Sequence, residues 1–343
     1  GLNVRERQRA EINPMQYGTI VHYILERFFG EYTKEEYLSL EEDKFQKIVC
    51  AYLAEYAVKY FGEEQLESNS FTYRLKTILD NVMYLMKHIM EELSQSEFFV
   101  ADCELKIGED IPSYTIVLPD GHKIAVCGSV DRVDIMQRAD ITYLRIIDYK
   151  TGTKQFKLSD ILYGINLQML LYLHSIEASG GDKYGEIVPA GILYMPATVP
   201  YISSDSLKSI DKLPDELNKK LKMNGLLLKD TEIIHGMDKT DVATYIPVKI
   251  KAGEPVSSTS LATLAEFGKI FKKVDMLIAE MGKNIYNGNI EAKPLKGGHD
   301  SCEYCPYDSV CAYRQSNPIT CFSVDNKTVI EEITNEINGK EEE

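Results

Sequence analysis

The chemistry that is easiest to read in this chain lies in Asp148, Lys150 and an acid on the preceding strand, either Asp131 or Asp134. Residues 144–150 have the pattern of a strand that stops at Thr151-Gly152. Side chains alternate faces along a strand, so Asp148 and Lys150 emerge side by side at its end. A carboxylate and an ammonium held together there suit phosphoryl transfer, with the acid holding a hard divalent cation and the lysine sitting where negative charge grows. The second acid comes from residues 124–135, which read as a strand that turns back around residues 136–142 and pairs with the Asp148 strand. With a period of two and no bulge, Asp131 and Asp134 point to opposite faces, so only one of them joins Asp148.

Taken singly, these residues are ordinary. An Asp-x-Lys at a strand end is commonly a solvated turn. Gln168 and Tyr172, four apart on one helical face, can be a polar boundary beside the stripe formed by Leu167, Leu170, Leu171 and His174. Their order and spacing carry the reading, and so do the elements that must position them.

The first such element is a helix over residues 13–30, with Asn13 at the N-cap, Pro14 in the first turn and Gly30 as the C-terminal cap. Val21, Ile24, Leu25 and Phe28 form its apolar stripe. His22 lies one turn beyond Gly18, whose missing side chain leaves room beside the imidazole for a phosphate. Residues 44–60 and 71–93 repeat apolar residues at helical spacing and read as an inserted helical subdomain without chemistry, in which Cys50 and His88 are packing residues. Residues 98–107 give the first strand, on which Glu104 is either near enough to approach the metal site or, as the favoured reading, an exposed strand residue. Pro119-Asp120-Gly121 is a hairpin turn leading into the Asp131 strand.

Ser159 is placed to cap the helix carrying Gln168 and Tyr172, which Gly180-Gly181 ends, and residues 187–195 follow as a strand. Residues 200–255 read as an irregular insertion whose Lys219, Lys220, Lys222 and Lys229 form either a DNA contact or a solvated face. Residues 261–285 read as one amphipathic brace, with Leu264, Phe267, Phe271, Val274, Ile278 and Met281 inward. The expected division is a helical region over 1–100, a catalytic core over 101–200, the insertion and brace over 201–295, and a cysteine loop with an acidic tail over 296–343.

At 343 residues and 44% hydrophobic content, the chain is long enough for a substantial core. It has neither a signal peptide nor an apolar run of membrane-spanning length, and is expected in the cytoplasm. The initial Gly, followed at once by polar sequence, reads as the start of an excised fragment. A formal net charge of −15 speaks against a generally basic nucleic-acid binder, although clusters such as Glu41-Glu42-Asp43 and Glu341-Glu342-Glu343 read as solvated surface or tail. Cys50, Cys103 and Cys127 fall in periodic segments and are expected to be small buried apolar residues. Cys302, Cys305 and Cys311, with Cys321 after them, crowd a Gly-, Pro- and Asp-rich loop, a spacing that favours iron-sulfur or zinc over disulfides.

The series Gly18-x-x-x-His22, Gly128-x-x-Asp131, Asp148-Tyr-Lys150 and Gln168-x-x-x-Tyr172, closed by Cys-x2-Cys-x5-Cys, resembles the RecB-type branch of the PD-(D/E)XK nuclease superfamily. Within that branch it is most similar to the C-terminal nuclease domains of the AddB components of AddAB-type helicase-nucleases, also over residues 144–151, 189–195 and 223–228. One departure is Val130, where the superfamily motif has Pro before the acid. The resemblance implies an α/β, three-layer, restriction-endonuclease-like core with a mixed sheet, helical N-terminal additions and a C-terminal cysteine loop. It selects Asp131 over Asp134. It further implies Mg2+ or Mn2+ held by His22, Asp131, Asp148 and the Tyr149 backbone carbonyl, Lys150 as the catalytic lysine, and Gln168 and Tyr172 as DNA-positioning residues. The expected substrate is a single DNA strand delivered by a helicase during double-strand-break repair, with an AddA-type subunit as partner. A non-catalytic DNA-end clamp and a free-standing RecB-like exonuclease are the alternatives. A [4Fe-4S] cluster is implied on Cys302, Cys305 and Cys311; its fourth cysteine in the family would precede Gly1, so the cluster is expected to be incomplete here.

Overall fold

The computed structural model describes residues 12–152, 155–200, 202, 213–251, 253–255, 259–307, 310–311 and 318–341. Helix α1 (Pro14–Glu31) starts in a capping box, in which the Asn13 side chain accepts the Gln16 N–H and the Gln16 side chain accepts the Asn13 N–H. Its end differs from expectation: Gly30 lies inside the helix, and Tyr32 caps it through an N–H to the Phe28 carbonyl. Ile20, Val21, Ile24, Leu25 and Phe28 are buried along its inner face. Two long helices follow, α2 (Glu42–Phe61) and α3 (Asn69–Ser94), and both pack against α1.

Among the described residues the principal sheet has six strands whose spatial order follows the chain: β1 (Phe99–Ile107), β2 (Gly128–Arg138), β3 (Ile141–Lys150), β4 (Glu186–Pro196), β5 (Asn224–Leu228) and β6 (Leu261–Ala262). The β3–β4 and β5–β6 pairs are parallel and the rest antiparallel, so the sheet is mixed as expected. A separate hairpin, Tyr114–Val117 with Lys123–Val126, turns at Asp120-Gly121 before β2. The parallel β3-to-β4 crossover carries α4 (Gln168–Ser179). Ser159 does not cap that helix. It is buried within a 3-10 turn, Leu158–Tyr163, and α4 begins only after that turn has ended.

Other departures lie toward the C-terminus. Residues 224–228, expected within an irregular insertion, instead form β5 against the far edge of β4. The segment expected as one helix from 261 divides at Thr263, whose side chain accepts the Glu266 N–H in a capping box. It gives β6 and then α5 (Leu264–Tyr286). Phe267, Phe271 and Val274 are buried on α5, but Leu264 and Met281 are exposed. The expected acidic tail includes a helix, α6 (Asn326–Glu341), that buries Val329 and Ile333, while Glu342 and Glu343 lie outside the described residues. Cys127, expected inside, is exposed between the hairpin and β2.

Two ionic clusters tie the layers together. Arg132 and Asp134 on β2, Arg145 on β3 and Glu92 on α3 are all fully buried. Asp134 accepts from Arg132 at 2.6 Å and from Arg145 at 2.8 Å, and Glu92 accepts from Arg132 at 3.0 Å and from Arg145 at 2.5 Å. Two acids thereby balance two guanidinium groups in a region closed to bulk solvent, where an unpaired charge is expensive. The second cluster joins α4, α5 and the hairpin: His174 lies 3.2 Å from Asp275, 3.3 Å from Glu177 and 3.1 Å from the Tyr114 hydroxyl, and its ring stacks on Phe271. Burial disfavours the His174 cation, but hydrogen bonds and charges from Asp275 and Glu177 outweigh it and push its pKa up to about 9.

Asp134→Asn leaves two buried guanidinium groups facing one carboxylate. We expect it to destabilise the fold by about 3–5 kcal/mol, read as a lower denaturant midpoint. A change within experimental error would show that the buried cluster is not balanced as described.

Candidate active site

The pairing of β2 with β3 runs without a shift from Arg132 opposite Ile147 to Arg138 opposite Ile141. The next pair outward sets Asp131 opposite Asp148, on the face away from Arg132 and Asp134. On the other side of β2, Cys103 opposes Arg132 and Leu105 opposes Val130, so Glu104 stands opposite Asp131. Three carboxylates, Glu104, Asp131 and Asp148, therefore form a row across three neighbouring strands. Glu104 was expected to be an exposed strand residue. Instead it adopts φ +52°, a left-handed conformation rare for glutamate, and its carboxylate accepts from Ser129 at 2.9 Å while lying 2.8 Å from His22 Nδ1.

His22 reaches this row from α1. The Tyr17 hydroxyl, on the preceding turn, donates to the Ala197 carbonyl at 3.0 Å, and the Ala197 N–H donates to the Lys150 carbonyl at 2.8 Å, so the helix is fixed to the strand end bearing the lysine. With Nδ1 engaged by Glu104, His22 presents Nε2 toward Asp131 Oδ2 at 3.6 Å. Burial disfavours the imidazolium, yet the hydrogen bond His22 donates to Glu104 and the charges of Asp131, Glu104 and Asp148 leave its pKa raised. Burial also pushes the Asp131 carboxyl up to about 6, opposed by His22 and reinforced by the Asp148 charge. A bound divalent cation would stabilise the ionised acid and the neutral imidazole together.

Asp131 has a further contact, since its Oδ2 accepts the Tyr149 N–H at 3.0 Å. The Lys150 carbonyl faces β4, and successive peptide groups alternate sides along a strand. The Tyr149 carbonyl therefore points the same way as its N–H, toward Asp131. Asp148 is buried, and the Lys150 ammonium lies 2.5 Å from its Oδ2, poorly aligned for a hydrogen bond. The ammonium is also 5.6 Å from the centre of the Tyr194 ring.

Among the described residues, His22, Glu104 and Asp131 are the one group of three His, Cys, Asp or Glu side chains with donor atoms within 4.8 Å of one another. With Asp148 and the Tyr149 carbonyl alongside, the donor set is mostly oxygen, which suits Mg2+ or Mn2+. His22, Glu104, Ser129, Tyr149, Lys150 and Gly18 line a cleft of about 710 Å³. A β-carbon on Gly18 would meet only Thr151 Cγ2, at 3.8 Å.

Gln168 and Tyr172 lie outside that lining, on α4, with Gln168 donating to the Tyr172 hydroxyl at 3.4 Å. Tyr172 occupies the space beside Gly128, where a β-carbon would come within 2.3 Å of its hydroxyl, so any larger residue at the entry to β2 would have to displace the Tyr172 ring. Cys302, Cys305, Cys311 and Cys321 are free thiols and form no set of three within that spacing. As arranged, they do not fit a four-thiolate cluster.

A family profile for the PD-(D/E)XK nuclease superfamily matches residues 1–312. The B-type subunit of the ATP-dependent helicase/deoxyribonuclease of Thermoanaerobacter sp. (strain X514) is 34% identical over 325 residues, covering 91% of this chain and 28% of that protein. The proteins of the same name from Alkaliphilus oremlandii and Clostridium kluyveri are 32% and 33% identical, over 98% and 100% of this chain and 30% and 31% of their own lengths. The chain thus spans under a third of these relatives.

Glu104→Gln removes the carboxylate that orients His22 and leaves the rest of the row in place. We expect Mn2+ affinity, measured by calorimetric titration, to fall roughly 10- to 100-fold. Unchanged affinity would show that Glu104 neither orients the histidine nor contributes to the metal site.

Proposed function

The chain belongs to the PD-(D/E)XK nuclease superfamily, and from that premise we propose that it is a Mg2+- or Mn2+-dependent deoxyribonuclease, the nuclease part of a helicase-nuclease that trims broken DNA ends. The observation that supports this reading is a cleft lined by His22 and Lys150, with Asp131 3.6 Å from His22 Nε2 and Asp148 2.5 Å from Lys150 Nζ at the ends of adjacent strands. The names of the relatives support DNA as substrate and a larger helicase assembly as setting. An AddA-type partner subunit and a single strand delivered by the helicase are part of the proposal. Among the described residues no helix is long and apolar enough to cross a membrane, and we place the activity in the cytoplasm, where chromosomal ends arise.

In this mechanism His22 Nε2, Asp131, Asp148 and the Tyr149 carbonyl would hold the divalent ion. When bound, that ion lowers the pKa of a water and neutralises charge on the scissile phosphate. Glu104 keeps the Nδ1 proton on His22, so the other nitrogen is free to ligate. Asp148 holds the Lys150 ammonium at the cleft, where it orients the attacking water and meets the charge that grows on the phosphoryl oxygens. Tyr172 and Gln168 act from α4, bracing the entry to β2 at Gly128 and so positioning the DNA strand relative to Asp131. No step passes through the cysteine loop.

Asp148→Ala removes both a ligand and the partner of Lys150. Cleavage of single-stranded DNA in Mg2+ or Mn2+ should fall by roughly 1,000-fold or more, since several kcal/mol of charge stabilisation are lost. Equal cleavage by the variant and the parent chain would refute the assignment.

A further inference from the structure

The cleft that holds His22 and Lys150 extends onto the helical region. Tyr23, Tyr56 and Tyr60 line it together with His22, Glu104 and Tyr149, although nothing in the sequence pattern of α2 pointed to chemistry. Tyr60 lies in the last turn of α2 and is 50% exposed. Beneath it Tyr56 is buried, with ring centres 4.4 Å apart and planes inclined by 34°. Tyr23, the residue after His22, packs against Tyr56 at 5.2 Å, and its hydroxyl donates to Glu55 at 2.8 Å, which fixes the ring. The Lys59 ammonium lies 5.1 Å from the centre of the Tyr60 ring and 6.0 Å from that of Tyr23. An anchored aromatic pair with an ammonium over its rings thus lines the same cleft as His22, Glu104 and Lys150.

We propose that Tyr60, backed by Tyr56 and flanked by Tyr23 and Lys59, is a stacking subsite for a nucleobase of the single strand entering the cleft, with Lys59 pairing the adjacent phosphate. The inference rests on the nuclease reading above and extends it to how substrate is held. Its physical motive is charge. A chain of net charge −15 cannot rely on long-range attraction to a polyanion, and Glu26 and Glu104 line the same cleft as Lys106 and Lys150. Base stacking on tyrosine is independent of net charge and tolerant of sequence. It also selects single strands, because paired bases do not present their faces.

The test uses the 343-residue chain with Ca2+ in place of Mg2+, and two short fluorescent strands of equal length: oligothymidylate, and the same backbone with abasic spacers. The parent chain should bind oligothymidylate roughly 5- to 20-fold more tightly, at the low end of what one stacked base contributes. Tyr60→Ala should lose most of that preference with little change toward the abasic strand, Tyr60→Phe should keep it, and Lys59→Ala should weaken both strands alike. A Tyr60→Ala protein that retains the full preference, or that loses affinity for both strands equally, overturns the subsite. If such a result accompanies cleavage that still requires Asp148, the subsite alone is wrong. Failure of the parent chain to bind either strand removes the single-strand reading and the subsite with it.

Discussion

The unbroken antiparallel register between β2 and β3 is the constraint from which the rest of the site follows. Because Arg132 faces Ile147, Asp131 must face Asp148, and Arg132 and Asp134 must fall on the opposite side. A slip of one residue would exchange the two sets, placing guanidinium groups in the cleft and an acid in the core. The buried cluster of Glu92, Arg132, Asp134 and Arg145 makes that slip prohibitive, since any other register strands charges away from water. A structural ion network on one face thereby enforces a row of carboxylates on the other.

Around that register, the remaining parts act as positioning devices. The capping box at Asn13 and the Tyr17 contact to Ala197 set the rotation and height of α1, and Glu104 sets the orientation of the imidazole it brings. Tyr172 fills the gap at Gly128 and holds the start of β2. The Asp148–Lys150 pair keeps an ammonium at the cleft without committing it to a hydrogen bond. Most of these contacts join residues far apart in sequence, so the site depends on the whole core being formed.

Much of this was legible from residue order. Alternation along residues 144–150 and 124–135 was enough to pair Asp148 with Lys150 and to separate Asp131 from Asp134, because a period of two leaves no freedom once a bulge is absent. Preference for Asp131 came from resemblance and not from the pattern itself. The sequence admits Glu104 near the metal site but favours an exposed residue, because its backbone leaves the extended region, which no periodicity signals. The helix expected from residue 261 was misjudged at its start although Thr263-x-x-Glu266 is a capping-box signature. Residues 224–228 carried a short apolar run, but a strand added to the far edge of a sheet is specified by its partner, β4, and not by local sequence. The tyrosines at 56 and 60, with Lys59 between them, looked like an amphipathic helix face because their cleft is formed by elements distant in sequence.

The central claim is that the row of acids and His22 form one divalent-metal site facing Lys150. Anomalous diffraction from crystals of the chain grown with Mn2+ tests it most directly. The account predicts a peak between Asp131 and Asp148, with His22 Nε2 and the Tyr149 carbonyl in its coordination sphere and Lys150 Nζ beside it but not bound. Mn2+ held elsewhere, or by His22 and Glu104 without Asp148, would contradict it.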